Sequence, residues 1–126
     1  MTQNKKDLLL KDLCGRLFYG VICKSVNFTN PTKLVSIDLD GPIHDVYFCT
    51  NDEGSMWNDY DDIKPYLFPF DKISEDMWSE YLATCVGGNA SFPTFKSFDW
   101  CNEHHIDYRG LIPMGLAIDA TGLNIY

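Results

Sequence analysis

Between Trp100 and Tyr126 the chain gathers Cys101, His104, His105, Asp107 and Arg109, side chains able to bind a metal, act as nucleophile and base, or grip an anion. Residues three apart on a helix share a face, so Cys101 and His104 could hold one metal ion. A closed zinc site takes four ligands. The third histidine, His44, is remote in sequence, and Asp107 falls past the expected helix end. The same residues admit a Cys101 nucleophile with His105 as its base, oriented by Asp107. Against that, no glycine-flanked turn surrounds Cys101, and its neighbour Trp100 points to a buried, inert thiol. Histidines in a last helical turn also have a plain role in satisfying the terminal carbonyls. Asp107 and Arg109 could pair locally and steady the turn into Gly110, a contact worth ~0–1 kcal/mol if exposed. His104, His105, Asp107 and Arg109 therefore form one candidate site, for a small ligand or a metal. No catalytic set, metal centre or cofactor is assigned.

A second candidate is electrostatic. The segment from Thr50 to Glu80 holds nine carboxylates against Lys64 and Lys72. Asp52, Glu53, Asp59, Asp61 and Asp62 crowd one stretch together with Trp57 and Tyr60. Such a run is ordinarily a solvated face. With aromatic anchors exposed inside it, it becomes a surface for a basic protein partner, because rings carry much interface energy.

The third pattern is Leu34 to Gly41, four largely apolar residues and then Asp38-x-Asp40-Gly41, which resembles the nucleophile strand of haloacid-dehalogenase-type phosphatases. That fold needs parallel strands joined by long crossovers, and only three residues separate Leu39 from Ile43. Aspartate followed by glycine instead predicts a tight hairpin, with the glycine at positive φ.

The elements that would position these residues follow from periodicity. Leu9, Leu10, Leu13, Cys14 and Leu17 make the stripe of an amphipathic helix over Lys6 to Leu17. Val21 to Val26, Lys33 to Leu39 and Ile43 to Cys49 read as three antiparallel strands, the last two joined at Asp40-Gly41-Pro42. Thr50 to Asp62 reads as a surface loop, and Tyr66-Leu67-Phe68, bracketed by Pro65 and Pro69, as an extended or single-turn piece. Ser74 caps a helix with Met77, Trp78, Tyr81, Leu82 and Cys85 on its inner face, ending at Gly87-Gly88. A third helix from Thr94 to His104 would bury Phe95, Phe98 and Cys101. Alanine at Trp78 or Phe98 would then cost about 3 to 5 kcal/mol. The expected fold is α+β, about three strands and about three helices in one domain over residues 1–126.

Composition removes several function classes. Lys and Arg number 10 against 18 Asp and Glu, a net charge of −8, so a sequence-independent grip on nucleic acid is not expected. Residues 1–33 carry six basic and two acidic side chains, and the remainder four and sixteen. Leu8-Leu9-Leu10 is too short for a signal or a membrane span. The five cysteines, odd in number and without a Cys-x-x-Cys pair, fit a cytoplasmic protein rather than a disulfide framework. Gly110, Gly115 and Gly122 match no phosphate-binding spacing.

Three segments resemble an uncharacterised family of small proteins encoded by gut-type anaerobic bacteria, their phages and other mobile elements. They are Leu8 to Leu17 with Tyr19-Gly20-Val21, Ile63 to Pro69 with the helix after it, and Asp99 to Ile118. The chain departs from that pattern at Phe18, where proline is expected, and at Cys101, where leucine is expected. The resemblance implies no activity, cofactor or catalytic residue. Charge asymmetry and the missing catalytic set together favour a non-enzymatic adaptor that binds another protein through the acidic stretch. A ligand site at His104, His105, Asp107 and Arg109 is the alternative, and a component of an assembly, betrayed by a stable oligomer, is the third reading.

Overall fold

The structure, a computed structural model, describes residues 1–41, 45–50 and 57–126. Helix α1 spans Gln3–Arg16, and its Thr2 cap accepts the Lys5 N–H on its hydroxyl at 3.3 Å. Leu9 and Leu13, one turn apart, are fully buried, as the apolar stripe predicts. Asp12 and Arg16 lie on the same inward side and are equally buried, while Cys14, expected inside, is exposed.

The strands are β1 (Ile22–Ser25), β2 (Thr32–Lys33), β3 (Ser36–Asp38), β4 (Tyr47–Cys49), β5 (Trp57–Asn58), β6 (Ile63–Pro69), β7 (Ile106–Asp107) and β8 (Ile118–Asp119). Helices α2 (Glu75–Ala83) and α3 (Phe95–Glu103) complete an α+β fold. An antiparallel three-stranded sheet runs β3-β4-β5, with Ile37 opposite Phe48 and Phe48 opposite Asn58. The first expected strand is not part of it. β1 pairs instead with β2 and β6, and β6 also carries β7 and β8 in parallel, giving a second, mixed sheet. β6 is central because Ile63, Pro65, Tyr66 and Leu67 are all buried.

The hairpin joins β3 to β4, but its turn chemistry differs from the expectation. Gly41 donates to the Asp45 carbonyl at 2.8 Å, which sets the reversal between Gly41 and Asp45; residues 42–44 lie outside the described residues. Gly41 is not among the glycines at positive φ. It is needed for space, since a Cβ there would run into the Tyr47 ring. The segment expected as a loop from Thr50 to Asp62 also differs. Thr50 and Asn58 are fully buried, with the Asn58 amide donating to the Phe48 carbonyl at 2.9 Å and to the Thr50 hydroxyl at 3.2 Å.

Two apolar clusters form. One packs Leu9, Leu13, Phe48, Ile63 and Leu67 with Leu111 between α1 and the sheets; the other packs Tyr81, Cys85, Cys101 and Ile106 beneath α2 and α3. Ser74 caps α2 as expected, accepting the Met77 N–H at 3.2 Å. α3 begins with a capping box in which the Thr94 hydroxyl accepts the Lys96 N–H and Ser97 Oγ accepts the Thr94 N–H at 2.9 Å.

The expected inner face of α3 holds at Cys101 but not at Phe95 and Phe98. Ser97 and Cys101 face the core, whereas Phe95 and Phe98 are 79% and 45% exposed. The cause is a polar clasp between the helices: Thr94 Oγ1 and Ser97 Oγ donate to the Thr84 carbonyl at 2.7 and 3.2 Å, and Thr84 Oγ1 reaches Ser97 Oγ at 2.8 Å. Small side chains at 94, 97 and 101 have helical spacing i, i+3, i+7 and let α3 sit close to α2. Phenylalanine there would hold the helices apart. Trp78 is likewise exposed on one side, with its other side against Phe70 and Tyr81.

Candidate functional site

The bend after α3 divides the four residues expected to make one ligand site. Asp107 is buried and its carboxylate accepts the Leu111 and Ile112 N–H groups at 2.8 and 2.9 Å, so it closes a turn. Arg109 pairs with Asp12 at 2.9 Å, across the chain, and not with Asp107. Asp12 also receives Arg16 through two bonds of 2.9 and 3.0 Å. One fully buried carboxylate therefore serves two guanidinium groups, and Arg16 further donates to the Ile106 carbonyl. The Tyr108 ring lies between them, 5.4 Å from the Arg16 and 4.5 Å from the Arg109 guanidinium carbon. This network pins α1 to the bend, and it occupies the functional groups that an anion would need.

His104 and His105 turn the other way, to a cleft shared with Lys72, Met77, Glu103 and Tyr126. His104 packs on Trp100, ring centroids 4.5 Å apart. His105 is stacked on Tyr126 at 3.7 Å, and burial, with Arg16 and His104 adding to it, lowers its pKa to about 4. Cys101 is buried, and burial pushes its thiol up to about 12, which disfavours the thiolate that a nucleophile needs near neutrality. Among the described residues no three His, Cys, Asp or Glu side chains converge to hold a metal.

The acidic stretch is also partly committed to structure. Asp52 and Glu53 lie outside the described residues. Asp59 Oδ1 accepts the Asp61 N–H at 2.9 Å, and Asp62 caps back on the Asp59 N–H at 3.4 Å, which builds the turn from β5 into β6. Tyr60, considered as an exposed anchor, is a core residue whose ring meets Phe48 edge-on at 5.3 Å. Trp57 and Asp61 alone of the described five face solvent, and Asp61 stands 3.9 Å from the Met1 amine.

A surface that sequence reasoning missed lies at α3. Phe18, on the turn after α1, is 90% exposed and meets Tyr19 edge-on at 5.6 Å. The Tyr19 hydroxyl donates to Asp99, one helical turn beyond Phe95 on α3. Phe98 reaches Tyr108 at 5.4 Å, and Tyr108 bonds Asn102 at 3.1 Å. The pairs Phe18–Tyr19 and Phe98–Tyr108 and the exposed Phe95 thus place several rings on or beside α3, with Arg109 against Tyr108. The signal was present in the sequence as the competing small-residue stripe Thr94, Ser97 and Cys101. Scattered exposed apolar side chains are ordinary, whereas contiguous exposed apolar patches are where interaction sites tend to lie.

No helix among the described residues is long and apolar enough to cross a membrane. The chain matches no protein-family model, and no curated protein or solved structure is significantly similar to it.

Proposed function

We propose that this chain is a small non-enzymatic binding module whose docking face is the aromatic side of α3 together with Phe18. The observation that carries the reading is the exposure of Phe18 and Phe95, at 90% and 79%, on two elements tied together by the Tyr19–Asp99 bond. Rings of this size normally contribute about 1.5–3 kcal/mol when buried, a gain that this fold leaves to a partner. The partner is a protein with a basic surface around an apolar patch. A net charge of −8 attracts such a protein at long range and opposes a second copy of this chain. Trp57 and Asp61 of the acidic stretch can supply flanking contacts rather than the centre. Five free cysteines suit a reducing cytoplasm, and the likeness of three segments to mobile-element proteins suits a role on host components.

The test is co-purification from host lysate with wild type, with Phe18→Asp/Phe95→Asp and with Asp61→Asn. The reading predicts a protein retained by wild type, released by the double variant, weakened slightly by Asp61→Asn and held less well as salt rises. Identical retention by wild type and the double variant, or a partner indifferent to salt, contradicts it.

A further inference from the structure

Where the end of β6 meets the start of α2, the end of α3 and the tail after β8 lies a cleft of about 440 Å³. Phe68, Ile73, Met77 and Tyr126 make its walls apolar. Small-molecule sites are typically of this kind, roughly 300–1,000 Å³, with a few polar groups to orient the ligand. The charges on this rim are unequally compensated. Lys72 pairs with Asp119 at 2.9 Å. His105 stays neutral at pH 7, since burial holds its pKa down at about 4. Glu103, exposed at the mouth, has no ion pair among the described residues.

His105 carries a second sign of purpose. Its φ is +60°, the left-handed region that glycine enters most readily after a helix and that histidine adopts more often than most side chains. Its Nδ1 is enclosed and without a hydrogen-bond partner. With Nδ1 enclosed, only Nε2 can reach a ligand. The ring lies flat against Tyr126, at 3.7 Å and an interplanar angle of 10°.

We propose that this cleft binds a small organic cation, an ammonium group on an apolar body, with the ammonium at Glu103 and the apolar part against Phe68, Ile73, Met77 and Tyr126. A free carboxylate, an imidazole that carries no competing positive charge and aromatic walls all favour a cation, and the net charge of −8 disfavours an anion. The apolar walls of this cleft are not part of the aromatic face of α3, although Glu103 also lies near Tyr19; the small-cation titration and the partner pull-down read the two proposals separately.

Tryptamine is a suitable probe and indole-3-propionate its matched control, the same ring with the opposite charge. In ¹H–¹⁵N NMR titrations, tryptamine should give saturable shifts centred on Ile73, Met77, His105 and Thr121. Indole-3-propionate should bind at least about tenfold more weakly, and Glu103→Gln, an exposed and structurally neutral change, should weaken tryptamine about fivefold. Absence of saturable shifts at millimolar tryptamine, equal binding of the two probes, or an unchanged affinity in Glu103→Gln overturns the proposal.

Discussion

Helices α1 and α3 solve opposite problems with the same tools. α1 buries Leu9 and Leu13 and even draws Asp12 and Arg16 fully out of water. α3 buries Ser97 and Cys101 and leaves Phe95 and Phe98 outside. A helix that serves only stability would present its largest apolar side chains inward, as α1 does. α3 gives its inward face to a hydroxyl clasp on Thr84, and the apolar area it withholds from the core is what a partner can use. The difference teaches that apolar burial is concentrated on the α1 side, and it is the exposed side of α3 on which the proposed recognition rests.

The sharpest way to break that contrast is Asp12→Ala. It leaves Arg16 and Arg109 facing a buried site without their shared carboxylate, and a loss of about 3–5 kcal/mol is expected in urea titration. A loss under ~1 kcal/mol would mean that α1 is not the stabilising side. Ser97→Leu comes next: overpacking the clasp should cost about 1–3 kcal/mol, whereas an outward Ser97 would tolerate leucine freely. Acid supplies a gentler probe. The folded-state pKa of His105 lies below its unfolded value, so the native state binds fewer protons between pH 6.5 and about 4, and stability falls as pH drops through that window. His105→Gln should flatten this part of the stability–pH curve; an unchanged slope would show that His105 is not the group responsible. Smallest of all is Phe95→Ser, expected within ~0.5 kcal/mol of wild type because the ring touches mainly solvent. Alanine at Phe98, expected from helical spacing to cost about 3 to 5 kcal/mol, should likewise cost well under that, given its 45% exposure.

The α+β class, the three helices, the Ser74 cap and the β3–β4 hairpin were legible because each rests on local chemistry: a cap residue, a period, a short connection. β6 was not, since Pro65 and Pro69 argue against a strand, yet the strand on which β1, β7 and β8 all pair lies over Ile63–Pro69. Parallel pairings such as Tyr66 with Ile118 join residues with no common local signal. The orientation of α3 failed for a different reason. Hydrophobicity favours Phe95 and Phe98 inside, and only the three small side chains on the other face, together with Thr84 on α2, decide against it. The ligand cluster failed because Arg109 and Arg16 share Asp12, 97 residues from Arg109 along the chain. Of the four, His104 and His105 line a cleft, while Asp107 and Arg109 are held in structural contacts.

The central claim, that the outer side of α3 is for contact and not for the core, is tested most directly by one protein measured twice. The Phe18→Asp/Phe95→Asp variant should unfold in urea within about 1 kcal/mol of wild type and should fail to retain the partner that wild type retains. A loss of about 3 kcal/mol or more would place those rings in the core, and full retention at unchanged stability would show that the face binds nothing; either result contradicts the account.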